Sequence, residues 1–186
     1  LRITALDVPG NESDVSNQVQ GIPQQAVVTD IAPDTPSHLV YGNNQISVHF
    51  SQPLSDIGTV SVSSTVYPTM NAEASYLGSD TAIVILVNDP WASLDTVSFT
   101  LNNILDWSGT ETDQKEIKFK TYLLGDYDLD FAVDVTDLAS FVSAWYSKDY
   151  SYELGPVTGI IPHFIPSRDG TFDLRDMMTF TRMWHY

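Results

Sequence analysis

Cysteine is missing from all 186 residues, so neither a disulfide framework nor a thiolate metal site is available to this chain. Basic side chains are scarce: eight lysines and arginines face 24 aspartates and glutamates, for a formal charge of −16. That deficit makes nucleic acid and anionic membrane surfaces poor partners, since each would add repulsion. Divalent cations are the natural counter-ligands instead. No apolar run approaches the length that spans a bilayer, so membrane insertion is not expected. No secretory signal is visible, which suits a mature or excised piece. Phosphate-cradling glycine loops, nucleophile elbows and two-histidine zinc helices are also missing. The four histidines, His38, His49, His163 and His185, are scattered without a pair at helical metal spacing and read as surface or packing residues. Acids such as Asp56, Asp80, Asp89 and Asp106 sit at turns, where structural roles are expected. No catalytic constellation emerges, and the chain is not expected to be an enzyme.

What is present supports packed cores: 42% of the residues are hydrophobic. Residues 1–24 open with Leu1, Ile3 and Ala5 alternating with Arg2, Thr4 and Leu6 before the turn chemistry of "VPGN". The run "RITALDVPGNESDVSN" resembles the last hairpin of a bacterial fibronectin type III domain, which implies the end of such a domain and a linker. An ordinary N-terminal hairpin packed on the neighbouring strands is the other reading. Residues 25–122 read as all-β, with strands expected in "QAVVTDIAP", "QISVHFSQP", "TVSVSSTVY", "TAIVILV", "TVSFTLNNI" and "EIKFKTY". Ile46, Val48 and Phe50, then Val97, Phe99 and Leu101, then Ile117 and Phe119 alternate as half-buried strands do. Turn residues between short strands point to a β-sandwich. The stretch "FTLNNILDWSGTE" followed by "KFKTYLLGDYD" resembles the end of bacterial Ig-like modules. Trp91, Trp107, Tyr67 and Tyr76 would serve a sugar-stacking platform if exposed together; packing in the sandwich is the simpler role.

Residues 123–186 change character. "GDYDLDFAVDVTD" sets five aspartates among apolar residues, and their mutual repulsion would favour the unfolded chain unless a cation neutralised it. Counted from Asp126, the acids Asp126, Asp128, Asp130, Asp134 and Asp137 fall at positions 1, 3, 5, 9 and 12, with the Ala132 carbonyl at position 7. That is the ligand rhythm of a twelve-residue calcium loop. Magnesium fits less well, because many protein carboxylates suit the larger, less strongly hydrated ion. At an offset of 39 residues the segment matches itself: "DFAVDVTDLASFVSAWY" aligns with "DGTFDLRDMMTFTRMWH". Asp130/Asp169, Asp134/Asp173, Asp137/Asp176, Phe141/Phe180 and Trp145/Trp184 are identical pairs. Such self-similarity signals a structural repeat. In each copy the position-12 acid opens a helix; Leu138, Phe141, Val142 and Trp145 give the first helix one apolar face, with Met177, Phe180 and Trp184 matching in the second.

A calcium loop followed by one helix, twice, without a long preceding helix, resembles the dockerin family. The resemblance covers residues 124–186. It implies a small α-helical, calcium-binding module that binds cohesin domains and attaches exported proteins to scaffolds or cell surfaces. In the first loop it implies ligation by Asp126, Asp128 and Asp130, the Ala132 carbonyl, Asp134 directly or through water, and Asp137, with Val133 packing inward. Phe131 departs from the pattern at position 6, where glycine normally makes the sharp turn; a bulky residue at φ > 0 costs about 1 kcal/mol. In the second loop Asp169, Gly170, Thr171, Asp173 and Asp176 fill positions 5, 6, 7, 9 and 12. Strict counting puts Ile165 at position 1, and isoleucine cannot ligate. "YELGPVTGIIPHFIPSRDG" looks like a loop opened by an insertion, with Glu153 taking the position-1 role. Calcium in this second site and a vestigial, metal-free element both remain open. The resemblance also places partner recognition on Val135, Thr136, Val142, Ser143 and Ser147 in copy one and Leu174, Arg175, Thr181 and Arg182 in copy two.

The expected architecture is therefore multidomain: a fibronectin-like end over 1–24, an Ig-like sandwich over 25–122 and a dockerin-like module over 123–186. The expected function is calcium-dependent docking by a secreted or cell-surface protein to a cohesin-like partner. A structural subunit of an extracellular filament or surface layer, joining identical subunits by β-strand addition, is the alternative.

Overall fold

A computed structural model describes residues 24–34, 38–39 and 44–186. The expectation for residues 1–23 lies outside the described residues. Among the described residues ten strands precede the first helix: β1 (Val28–Ala32), β2 (His38–Leu39), β3 (Gln45–Phe50), β4 (Leu54–Asp56), β5 (Thr59–Ser64), β6 (Ala72–Leu77), β7 (Ser79–Val87), β8 (Thr96–Asn102), β9 (Leu105–Asp106) and β10 (Lys115–Thr121). They form two four-stranded sheets, ordered β1-β3-β7-β6 and β2-β10-β8-β5, with a small β4-β9 ribbon. Neighbours are antiparallel except for β2, which lies parallel to the end of β10.

The alternating residues meet between the sheets. Ile46, Val48 and Phe50 from β3, Ile83, Ile85 and Val87 from β7, Val97, Phe99 and Leu101 from β8, and Ile117 and Phe119 from β10 are all buried in one core. Phe99 sits at its centre, edge-on to Trp91 at 6.4 Å and to Phe119 at 5.9 Å. Trp91 is thus a core residue while Trp107 is exposed and donates from Nε1 to Gln52, so the two tryptophans share no sugar platform. The turn acids hold turns. Asp106, buried, accepts at Oδ1 from the Ser108 amide and hydroxyl and from the Thr110 amide, and Asp56 accepts from the Gly58 amide.

After β10 the chain passes directly into a second, smaller core. It contains α1 (Val135–Ser147), a 3-10 turn (Tyr150–Tyr152), the hairpin β11 (Val157–Ile160) and β12 (His163–Pro166), and α2 (Leu174–Met183). Leu123, Leu124, Val133, Phe141, Leu154, Phe164, Phe180 and Met183 are buried there. The repeat-equivalent Phe141 and Phe180 stack on each other at 5.2 Å and 16°, so the two loop–helix copies face one another through the same residue.

Ser93, fully buried, ties this core to the sandwich with every polar group it has. Its amide donates to the Phe164 carbonyl (2.8 Å), its carbonyl lies 3.0 Å from His163 Nδ1, and its hydroxyl accepts from the Leu124 amide (2.9 Å). Leu94 packs on the C-terminal cluster beside it.

The helical faces correct the reading of Leu138 and Val142. The face that α1 buries is centred on Asp137, Phe141 and Ala144, with Trp145 partly buried against the core. Leu138 and Val142 point outward with Val135 and Tyr146. Their spacing of three and four residues defines a second apolar stripe, about 120° or more around the helix from the first at 100° per residue.

Candidate metal centre

Loop one starts from Asp126, a buried carboxylate on a chain segment fixed by Leu123 and Leu124 in the core. Its Oδ1 accepts from the Asp130 amide (3.1 Å) and its Oδ2 from the Phe131 amide (2.8 Å), which curls the loop around it. Asp130 Oδ1 accepts from the Ala132 amide at 2.9 Å. Asp137, also buried, accepts from the Tyr127 amide at 2.6 Å and the Asp134 amide at 2.9 Å. Asp134 caps α1 by accepting from the Thr136 amide, and Asp137 completes the reciprocal box. Phe131 does adopt the left-handed conformation, with φ of 72°, and its ring stacks on Tyr122 at 5.3 Å. That stacking, worth about 0.5–1.5 kcal/mol, offsets a backbone cost of about 1–2 kcal/mol.

Loop two repeats this wiring across an insertion. Glu153, buried, accepts from the Asp169 and Gly170 amides, the same positions 5 and 6 that Asp126 serves. Asp176 Oδ1 accepts from the Leu154 amide (3.0 Å), as Asp137 does from Tyr127, and its Oδ2 from the Asp173 amide (2.8 Å). Asp169 accepts from the Thr171 amide and Asp173 caps α2 through the Arg175 amide. Residues 155–166 leave and rejoin the loop as the β11-β12 hairpin. Gly155 has φ of 65°, and a Cβ there would lie 2.5 Å from the Ser167 carbonyl; only glycine lets the two feet of the insert close. The structure thus places Glu153 where Ile165 would fall by strict counting, and sends Ile165 into β12.

The electrostatics of the two loops differ. Burial pushes the Asp126 carboxyl up, against the backbone amides that hydrogen-bond it. Asp128 is also raised, by desolvation first and then by the charges of Asp130, Asp137 and Asp134. In loop two the Thr171 hydroxyl holds Asp169 below the usual carboxylate range, and the hydrogen bond from Arg175 does the same for Asp173.

Asp126, Asp128 and Asp130 bring carboxylate oxygens within 4.8 Å of one another, a triad able to hold a metal ion. Calcium–oxygen distances of about 2.3–2.6 Å span ligand pairs of up to about 5 Å, so the oxygen-only donor set fits calcium. Asp137 and the Ala132 carbonyl stand in the same loop. A bound ion would neutralise the repulsion and fix the loop against α1.

All nine residues expected to recognise a partner are exposed. Val135 is 69% and Leu174 66% exposed. Arg175 is also engaged with Asp173 and Asp169, and the Arg182 guanidinium lies 4.2 Å over the Phe164 ring. Sequence reasoning missed Leu138, Tyr146, Met177 and Met178 as surface residues. The repeat alignment carried the signal: 135/174, 138/177 and 139/178 are equivalent pairs on one outward face.

No family model matches this chain, and no curated protein sequence matches it. Among solved structures it is similar to the surface layer protein SbsC, domains 1-6, at 11% identity and a TM-score of 0.41, over 54% of this chain and 14% of that one. It is also similar to PcoC, a methionine rich copper resistance protein from Escherichia coli, at 13% identity and 0.43, over 53% and 99%. CopC from Methylosinus trichosporium OB3b gives 12% identity and 0.40, over 52% and 93%. These likenesses extend over little more than half of this chain.

Proposed function

We infer that this chain is a non-catalytic, calcium-dependent docking and anchoring region of an extracellular or cell-surface modular protein. The observation that carries the reading is a coincidence of two repeated features. Each loop–helix copy has the same carboxylate-to-amide wiring, and each helix leaves an apolar stripe uncovered: Val135, Leu138 and Val142 on α1, Leu174, Met177 and Met178 on α2, with 135/174 and 138/177 at equivalent positions of the repeat. Uncovered apolar stripes of this kind favour a protein-binding role. The dockerin-like pattern of the repeat supplies the partner class, a cohesin-like domain. Calcium acts by neutralising loop one, which fixes the first turn of α1 and with it the stripe. At a hundredfold excess over its Kd, calcium would contribute about 2.7 kcal/mol to stability.

The test is size-exclusion chromatography of the purified chain, alone and mixed with cohesin-like domains, with calcium and with chelator. Co-elution that needs calcium and is lost in Val142→Asp is the expected result. Co-elution indifferent to both would overturn it. A second reading, the structural subunit, is favoured by β6, an edge strand with Tyr76 and Leu77 exposed. Calcium-dependent growth of the chain into homo-oligomers, abolished by Tyr76→Lys at that edge, would move the assignment there.

A further inference from the structure

In loop two a guanidinium stands where loop one has only carboxylates. Arg175, at position 11, directs Nη2 to within 2.8 Å of Asp173 Oδ2 and 3.4 Å of Asp169 Oδ2, while its Nε is 3.0 Å from Asp173 Oδ2. The acids at positions 5 and 9 therefore share one internal cation. The residue at position 11 of loop one is Thr136, and no basic residue lies between Asp126 and Asp137. The formal charges differ accordingly. Loop one carries −5 from five aspartates. Loop two carries −2, from Glu153, Asp169, Asp173 and Asp176 against Arg168 and Arg175. Position 3 is also weaker, with Ser167 in place of an aspartate such as Asp128. Nonetheless loop two has its complete set of amide-to-carboxylate bonds, centred on Glu153 and Asp176.

We propose that Arg175 is the resident counter-ion of loop two, making that loop and the start of α2 a metal-independent half of the module. Calcium ordering is thereby confined to loop one. A cation covalently attached to the chain pays no translational entropy of capture and does not depend on the concentration of free calcium. It also opposes a second divalent charge at the same oxygens, since like charges a few ångströms apart repel. The two copies have the same backbone wiring and opposite metal requirements.

The proposal concerns loop two alone and stands whether or not loop one binds calcium. Hydrogen exchange read by mass spectrometry on the full chain tests it, with calcium and with chelator, on wild type, Arg175→Lys and Arg175→Thr. In the wild type the Asp169, Gly170 and Leu154 amides should keep their protection in chelator. Arg175→Thr should speed their exchange at least tenfold in chelator, and Arg175→Lys, which keeps the charge, should stay within threefold of wild type. The pair Ser167→Asp with Arg175→Thr, which copies positions 3 and 11 of loop one, should make protection of loop two calcium-dependent. Wild-type loop two amides that lose protection in chelator would overturn the proposal, as would Arg175→Thr exchanging like wild type. The Asp130 and Phe131 amides report on loop one in the same spectra. If they ignore calcium, the docking function loses its switch while the role of Arg175 is judged on loop two.

Discussion

Two residues carry the loop geometry, and each predicts a measurable cost. Phe131 combines a left-handed backbone with a ring stacked on Tyr122. Phe131→Ala keeps the strain and loses the ring, whereas Phe131→Gly loses the ring and releases the strain. The glycine variant should therefore be the more stable of the two by about 1 kcal/mol in urea unfolding. Equal losses would show that the ring, not the backbone, governs the position. Gly155→Ala forces a Cβ against the Ser167 carbonyl at a φ that alanine avoids, and should destabilise the C-terminal module by more than about 1 kcal/mol. Asp106 supplies a pH dependence away from either loop. The Ser108 hydroxyl holds its carboxyl below the usual range, outweighing burial. A depressed carboxylate contributes stability above its unfolded pKa and loses it as pH falls through the folded one. The stability gap between wild type and Asp106→Asn should therefore shrink on acidification through the carboxylate range; a gap that widens would reverse the sign.

Elements built on alternation were legible because their side chains divide cleanly between core and solvent. β3, β8 and β10 bury every second residue; β3 and β8 fall within expected runs, and β10 starts one residue ahead of its run. β6 was not legible: its residues Ala72–Leu77 are mostly exposed at a sheet edge, so no apolar period marks them. The β11-β12 hairpin reads as an unstructured insertion because only Phe164 on it is fully buried. The aspartate spacing marked both loops, since the carboxylate-to-amide bonds that shape each loop fix the acids along the chain. It said nothing of Arg175, whose reach to Asp169 depends on a side-chain rotamer. The α1 face was misassigned in part because two apolar stripes on one helix blur into a single periodic signal. That division predicts opposite responses: Val142→Asp should change stability by less than about 0.5 kcal/mol, while Phe141→Ala, which empties the stack on Phe180, should cost about 3–5 kcal/mol. Chemical denaturation of both variants checks the assignment of faces.

At the scale of the whole molecule, the two cores of the described residues are joined without a spacer, and the joint is specific. Ser93 reaches the C-terminal core at Phe164, His163 and Leu124. Ser93→Ala would strand the Leu124 amide in a buried site, at about 1–3 kcal/mol. It should also separate a shared unfolding transition into two, seen by calorimetry. A variant melting as one unit at the wild-type temperature would deny the joint its role.

The position of that joint decides how the protein bears tension. Ser93 lies just before β8, and the covalent route to the helices leaves from the end of β10. Those two strand ends are neighbours, with Lys120 opposite Thr96 in the ladder. A pull on the C-terminal helices would therefore reach both strands at the same end and in the same direction. Neither strand is peeled from the other, because no relative sliding is imposed on the bonds between them. The load passes outward to β5 and β2, and the central pair of the sheet behaves as a tether with two roots.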